Sequence, residues 1–326
     1  MTGLVGECVF VRHNYGMWLI MVIFISVVKC AMQTGGFCLG SGVSAYSLSN
    51  SIYQSCFIIY PLFLCRLIFQ MGSFLSLMVD EGTWQGTMYS RSDWMTKQDH
   101  VYSLALPKKR IERKCQQLEN LVTAVVEIAK DGDVIVDFCS GGVGHYSLVI
   151  VATSCQNQSI DIYLIENKEE SIERARIRLD NLQLTNVVIY QCNLGYFHGQ
   201  FSIGVCLHAC GVATDMVLQQ CLDNNAAFVI CPCCYGNIVR THQINYPRSC
   251  KFRNAGLSYK DSLTLGHAAD QTEFNIALAG QGCYCANLVD TDRAELAREQ
   301  NYTVSLCSLK PLSCTPKNNL LIGTPN

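Results

Sequence analysis

Charge is scarce in this sequence. Lys, Arg, Asp and Glu make up 15% of its 326 residues, well below the usual quarter of a globular chain. The deficit is uneven: between Met17 and Met78 only Lys29 and Arg66 are charged, whereas charges return after Asp80 and persist. Apolar runs of membrane length are also lacking. Met17 to Val28 is apolar for 12 residues, and the run from Cys56 to Phe69 is interrupted by Pro61 and Arg66. Neither reaches the roughly 20 residues a helical span needs. Arg12 precedes the first run, as in a signal peptide, but no small-x-small cleavage site follows. Residues 1–80 therefore read as buried helices, a membrane anchor or sequence foreign to the fold, and membrane association stays open. The downstream fold is expected not to need them.

Positive charge is not in excess either. The formal net charge is −2, which gives no electrostatic support for nucleic-acid binding across the whole molecule; no DNA partner and no obligate protein partner are expected. A local basic stretch remains at Lys108, Lys109, Arg110, Arg113 and Lys114. Regular cysteine spacing is the last absence. The 20 cysteines fall largely inside apolar runs, where a free thiol behaves as a small hydrophobe. A reduced, cytoplasmic chain is expected rather than a disulfide framework.

What is present begins after a linker over residues 81–111. Leu118, Leu121, Val122, Val125, Val126 and Ala129 recur at helical spacing, so residues 112–130 read as an amphipathic helix. Short apolar runs follow at 134–138, 161–166, 187–190, 201–207 and 227–231, with helical stretches at 169–182 and 214–223. Strands alternating with helices predict a parallel sheet covered on both faces. Beyond Pro232 the pattern loosens until a helix at 292–300 and strands at 303–309 and 319–323. The short connection between these last two strands requires them to be antiparallel. The fold class is therefore α/β, with a mostly parallel seven-stranded sheet over residues 112–326 that closes in an antiparallel hairpin.

Ligands of such sheets sit at the C-terminal strand ends. Asp137 and Cys139 end the first strand and its turn, and Ser140-Gly141-Gly142-Val143-Gly144 follows. The third glycine of a dinucleotide fingerprint is missing, since Ser147 stands there. A carboxylate at Asp137 would repel a pyrophosphate but suits S-adenosylmethionine, which has no phosphate and carries an ammonium and a sulfonium. Glu166 ends the second strand, where a carboxylate can accept ribose hydroxyls. Asn193 follows the third, where an amide can meet an adenine edge. The cofactor-binding candidates are thus Asp137, Cys139, Ser140, Gly141, Gly142, Gly144, Glu166 and Asn193. Capping of loops and helices by the same side chains is the competing reading.

The blocks RKCQQLENLV, VDFCSGG, LIENKEESIERA, LHACGVATDMVL, FVICPCCYG, ADQT, LVDTDRAELA and CTPKNNLLIG resemble the methyltransferase region of the glutathione S-transferase C-terminal domain-containing protein family, from about Arg113 to Pro325. The resemblance implies a class I, Rossmann-like methyltransferase fold dependent on S-adenosylmethionine, a cytoplasmic location and a preceding glutathione-transferase-like helical domain. HACGVATD also resembles a tRNA 2′-O-methyltransferase family. Two departures stand out. The family's loop has three consecutive glycines, whereas Val143 here separates Gly142 from Gly144. Residues before about Val101 do not resemble the helical domain.

On the reaction side, His208, Cys210 and Asp215 follow the fourth strand, and Tyr235 follows the fifth. His208 is a candidate general base and Tyr235 a candidate stacking platform; packing and helix capping are their alternatives. His208, Cys210, Cys231, Cys233 and Cys234 offer enough ligands for zinc, but strand alternation would point Cys231 and Cys233 one way and Cys234 the other, so uncommitted thiols are expected rather than a metal site. The expected function is methyl transfer from S-adenosylmethionine, with RNA the favoured acceptor. A methyltransferase-like scaffold without activity is the alternative.

Overall fold

The computed structural model describes residues 108–141, 159–182, 185–207, 209–273 and 278–326. The apolar segment 1–80, the linker up to Pro107, Gly142, Gly144 and His208 lie outside the described residues. No helix among the described residues is long and apolar enough to cross a membrane.

In chain order the elements are α1 (Lys108–Ile128), β1 (Val134–Phe138), β2 (Asp161–Glu166), α2 (Glu169–Leu182), β3 (Val187–Gln191), β4 (Ile203–Cys206), α3 (Val212–Asp223), β5 (Ala227–Ile230), α4 (Cys250–Asn254), α5 (Tyr259–Ala269), α6 (Ala279–Glu299), β6 (Tyr302–Ser308) and β7 (Asn319–Pro325). The seven strands form one sheet in the order β3-β2-β1-β4-β5-β7-β6. β1 to β5 pair in parallel, and β7 runs antiparallel to both β5 and β6. The alternating pattern and the closing hairpin therefore stand as the sequence implied.

The central strands β1, β4 and β5 are buried on both faces because helices cover both. On one face, Leu118, Leu121 and Val125 of α1 pack on Ile135, Ile162, Ile203 and Val229. On the other, Val217 and Leu218 of α3 and Ala294 and Ala297 of α6 pack on Val136, Phe138, Cys206 and Phe228. Each fully buried Leu, Val or Phe contributes roughly 1.5–3 kcal/mol relative to exposure. The strand order also changes direction beside β1, with β2 on one flank and β4 on the other. That switch point opens a crevice at the carboxyl ends of the strands.

The larger differences from the sequence reading concern helices. α1 begins at Lys108 rather than 112. The loose stretch after Pro232 holds α4 and α5, the latter started by a capping box between Ser258 and Asp261. α6 begins at Ala279, not 292, and runs for 21 residues. Its early turns are rich in glycine and cysteine, which hides the helical period.

Candidate functional site

β1 is the central strand of the parallel half, so Asp137 emerges between Leu164 of β2 and Val205 of β4. Its side chain is only 2% exposed. One carboxylate oxygen, Oδ2, has no hydrogen-bond partner among the described residues. Burial, reinforced by the nearby Glu166 carboxylate and opposed by Lys114, pushes the Asp137 carboxyl up to about 8. An orphaned oxygen in so dry a place is a cost the fold carries.

After Phe138 the chain turns sharply. Cys139 has φ of 56° and Gly141 of 58°, the left-handed region a side chain disfavours. Ser140 is buried, and both its amide and its hydroxyl donate to the Ile165 carbonyl, at 3.2 and 3.4 Å. Those bonds lay the loop against the end of β2. Burial pushes the half-buried Cys139 thiol up to about 12, which keeps it protonated.

Glu166 closes the other side. Its Oε2 accepts from the Gly141 amide at 2.7 Å, and its Oε1 from the amides of Asn167 at 2.8 Å and Lys168 at 3.0 Å. The carboxylate therefore both holds the glycine loop and satisfies amides leading into α2. Of about four acceptor positions on a carboxylate, three are taken. One step further along the sheet edge, Asn193 Oδ1 accepts from Asn167 Nδ2 at 2.8 Å. Asp137, Cys139, Ser140, Gly141, Glu166 and Asn193 thus line one continuous edge, at the ends of β1, β2 and β3.

Lys114 is a residue the sequence reading placed in an exposed basic stretch. The structure turns it inward, toward Asp137, Cys231 and Cys233, and burial brings its ammonium down to about 8. Its spacing on α1, four residues before the buried Leu118 and seven before the buried Leu121, is the signal that could have marked it as inward.

The reaction side differs more from expectation. Asp215 is fully buried and held by Arg293 at 2.7 Å and Arg248 at 3.4 Å, with the Tyr246 hydroxyl donating at 2.7 Å. Burial alone would raise its carboxyl, but the Arg293 guanidinium, with Arg248 and Tyr246, holds it below the usual carboxylate range. Tyr235 is likewise fully buried, and its hydroxyl donates to Asp290 at 2.6 Å. Neither can reach an acceptor at the sheet edge, so both catalytic assignments are corrected: these are packing and ion-network residues. The physical reason is α6, whose Asp290 and Arg293 face the interior.

Cys210 does face solvent. Its Sγ lies 3.3 Å from that of Cys233, which lies 3.6 Å from that of Cys234. A hydrogen bond from the Cys233 thiol, against some burial, brings the Cys210 thiol down to about 6. The expected divergence of Cys233 and Cys234 does not occur, because β5 ends at Ile230 and strand alternation stops there.

Residues 108–241 match the family model described as a methyltransferase domain. The chain is 48% identical over 238 residues to the Drosophila melanogaster glutathione S-transferase C-terminal domain-containing protein homolog, covering 71% of this chain and 40% of that one. It is 50% identical over 222 residues to the Homo sapiens glutathione S-transferase C-terminal domain-containing protein, covering 66% of this chain and 34% of that one. The chain thus spans about two fifths or less of the curated relatives it matches. Among solved structures, the SAH-bound methyltransferase PaMTH1 of Podospora anserina aligns with a TM-score of 0.41 at 11% identity, over 74% of this chain and 99% of that one. The chain carries a methyltransferase domain, of the class whose cofactor is S-adenosylmethionine. The residues present fit that cofactor on one observation above all: the buried Asp137 Oδ2 has no partner among the described residues, as suits a site completed by a donor or cation on the ligand.

Proposed function

We propose that this methyltransferase-domain chain, so similar to the methyltransferase region of the glutathione S-transferase C-terminal domain-containing proteins, transfers a methyl group from S-adenosylmethionine to RNA. The buried Asp137 carboxyl, whose Oδ2 has no hydrogen-bond partner among the described residues, carries the enzyme reading. When bound, the cofactor supplies a methyl group activated by its sulfonium. Asp137 and the remaining acceptor position of Glu166 hold it, and the Gly141 amide, fixed by Glu166, keeps the loop backbone close. Asn193 stands at the edge where its side-chain amide can meet an adenine. Buried Asp137 and the packed strand ends exclude water from the cofactor's inner side. On the acceptor side Cys210, between the ends of β4 and β5, is an exposed polar group.

Two features support RNA as the acceptor. Lys109, Arg110 and Arg113 stand exposed at the start of α1, where they can meet phosphates. The HACGVATD block resembles a tRNA 2′-O-methyltransferase family. His208, the base candidate in that block, lies outside the described residues.

The test is transfer of labelled methyl from S-adenosylmethionine, by the full chain, into total RNA and total protein. Label in RNA is expected; label in protein alone overturns the acceptor assignment. A second reading, a methyltransferase-like scaffold, is favoured by the three amides that already occupy Glu166. It is separated by calorimetry: a folded chain giving no heat with S-adenosylmethionine or its demethylated product is a scaffold.

A further inference from the structure

The thiols of Cys210, Cys233 and Cys234 converge from two loops. Their three sulfurs lie within 4.8 Å of one another, and among the described residues no other group of three or more His, Cys, Asp or Glu side chains does so. The convergence is built by backbone, not by chance rotamers. The Gly211 amide donates to the Cys234 carbonyl at 3.0 Å, and the Val212 amide donates to the Asn237 carbonyl at 3.2 Å. These bonds tie the loop after β4 to the loop after β5. Gly211 has φ of 60° and ψ of −129°, and a Cβ there would collide with the Asn237 carbonyl oxygen and sit 2.7 Å from its Cβ. From the other side Asp270 accepts from the amides of Tyr235 at 3.0 Å and Gly236 at 2.8 Å. The Cys233–Cys234 segment is thereby clamped at both edges.

We propose that Cys210, Cys233 and Cys234 bind one zinc ion through three thiolates, and that the fourth position, for which the described residues offer no ligand, takes an exchangeable one. Zinc takes thiolate at about 2.3 Å, so two sulfurs of a tetrahedral site stand about 3.8 Å apart. The 3.3 and 3.6 Å separations here reach that value by shifts of a few tenths of an ångström. Three thiolates select a soft or borderline cation over Mg²⁺ or Ca²⁺, which prefer oxygen. Three protein ligands and an open position are the arrangement of catalytic zinc sites, whereas structural sites are closed by a fourth. Cys210 is exposed, and Cys233 and Cys234 are partly exposed, so the open position faces solvent at the carboxyl edge of the sheet. The carboxylate of Asp270 does not fill it, being engaged by two amides and by Lys317. The Lys317 ammonium, within electrostatic reach of Cys210, offsets the net negative charge of a three-thiolate zinc centre. On binding, each thiol forms a sulfur–metal bond and releases its proton to solvent.

Cobalt(II) is the probe, added to the full chain after metal removal under reducing conditions. One equivalent is expected to give the intense visible bands of a tetrahedral site and thiolate charge-transfer absorption, and zinc should displace it with loss of both. Imidazole should shift the visible bands, because one position exchanges. Cys210→Ser, at an exposed position, should lose stoichiometric retention through gel filtration while its far-ultraviolet circular dichroism stays unchanged. Cys283→Ser, at an exposed cysteine elsewhere, should bind like the parent. A folded parent chain that retains no more cobalt than Cys210→Ser overturns the proposal. So does a parent chain whose reducible Cys210–Cys233 disulfide, found by mass spectrometry, reforms in preference to metal binding. Bands indifferent to imidazole overturn the open position.

Discussion

Arg293 of α6 grips Asp215 of α3 with both arms of its fork, Nε to Oδ1 at 3.1 Å and Nη2 to Oδ2 at 2.7 Å, and neither side chain is exposed at all. Arg293 also reaches Asp290 at 2.8 Å, so one guanidinium ties two helices through two buried carboxylates. Removing one member of such a network leaves an uncompensated buried charge, at a cost of about 3–5 kcal/mol. Arg293→Met should lower unfolding stability by that order in urea titration. Asp215→Asn should also destabilise, because it strands Arg293. A residue acting on substrate would show the opposite pattern, with activity lost and stability kept.

That pair explains what the sequence hides. Positions 215 and 293 are 78 residues apart, and nothing local marks either as a partner. Asp215 sits just after a strand, which is where a catalytic residue would also sit, so strand position alone misassigns it. The run Asp290-Thr291-Asp292-Arg293 reads as a solvated helix face, yet all four are buried. By contrast β1, β2 and α2 were legible at their boundaries, because apolar runs and a charged amphipathic helix leave local patterns. The capping box of Ser258 and Asp261 was present in the sequence and would have placed α5. In the candidate site, Asp137, Gly141 and Glu166 were legible because strand ends in a parallel sheet share one edge. The meeting of Cys210 with Cys233 and Cys234 was not, because it depends on where β5 stops and on hydrogen bonds between two irregular loops.

Asp137 predicts a pH dependence. Burial puts its folded-state carboxyl at about 8, well above its ordinary value of 3.8. With the folded pKa raised, the folded state holds a proton that the unfolded chain releases. The unfolded state therefore binds fewer protons between roughly pH 4 and 8, and stability falls as pH rises through that window. Asp137→Asn removes the charge. The variant should gain stability over the parent at pH 8, by about 1–3 kcal/mol, with little gain at pH 4. It should also lose the calorimetric heat of S-adenosylmethionine. Denaturant titrations at the two pH values check the first outcome; a variant equally affected at both would show that Asp137 does not titrate in this window.

Glu166 is expected to matter through its geometry as well as its charge. In Glu166→Gln, one oxygen becomes an amide NH2, a donor that cannot accept from Gly141 or, in the flipped rotamer, from Asn167 and Lys168. At least one part-buried amide then lacks its acceptor, at up to about 1 kcal/mol. Calorimetry with S-adenosylmethionine should show affinity weakened at least about tenfold, the equivalent of 1.4 kcal/mol. Unchanged affinity in a destabilised variant would make Glu166 a capping residue alone.

Gly211 offers a substitution that separates the loops without touching a sulfur. Its φ of 60° with ψ of −129° is open to glycine and strained for any side chain, at about 1–3 kcal/mol. An alanine Cβ would also meet the Asn237 backbone, which cannot swing aside as a side chain could. Relief requires the loop after β5 to move away, breaking the hydrogen bond that the Gly211 amide donates to the Cys234 carbonyl and drawing Cys233 and Cys234 from Cys210. Gly211→Ala should therefore cost stability in urea titration and lose cobalt retention together, although every thiol remains. S-adenosylmethionine binding should be spared, because Asp137, Gly141 and Glu166 belong to β1, β2 and their own loops. Cobalt retained at the parent level by a folded Gly211→Ala chain would show that the backbone clamp does not set the spacing of the three sulfurs.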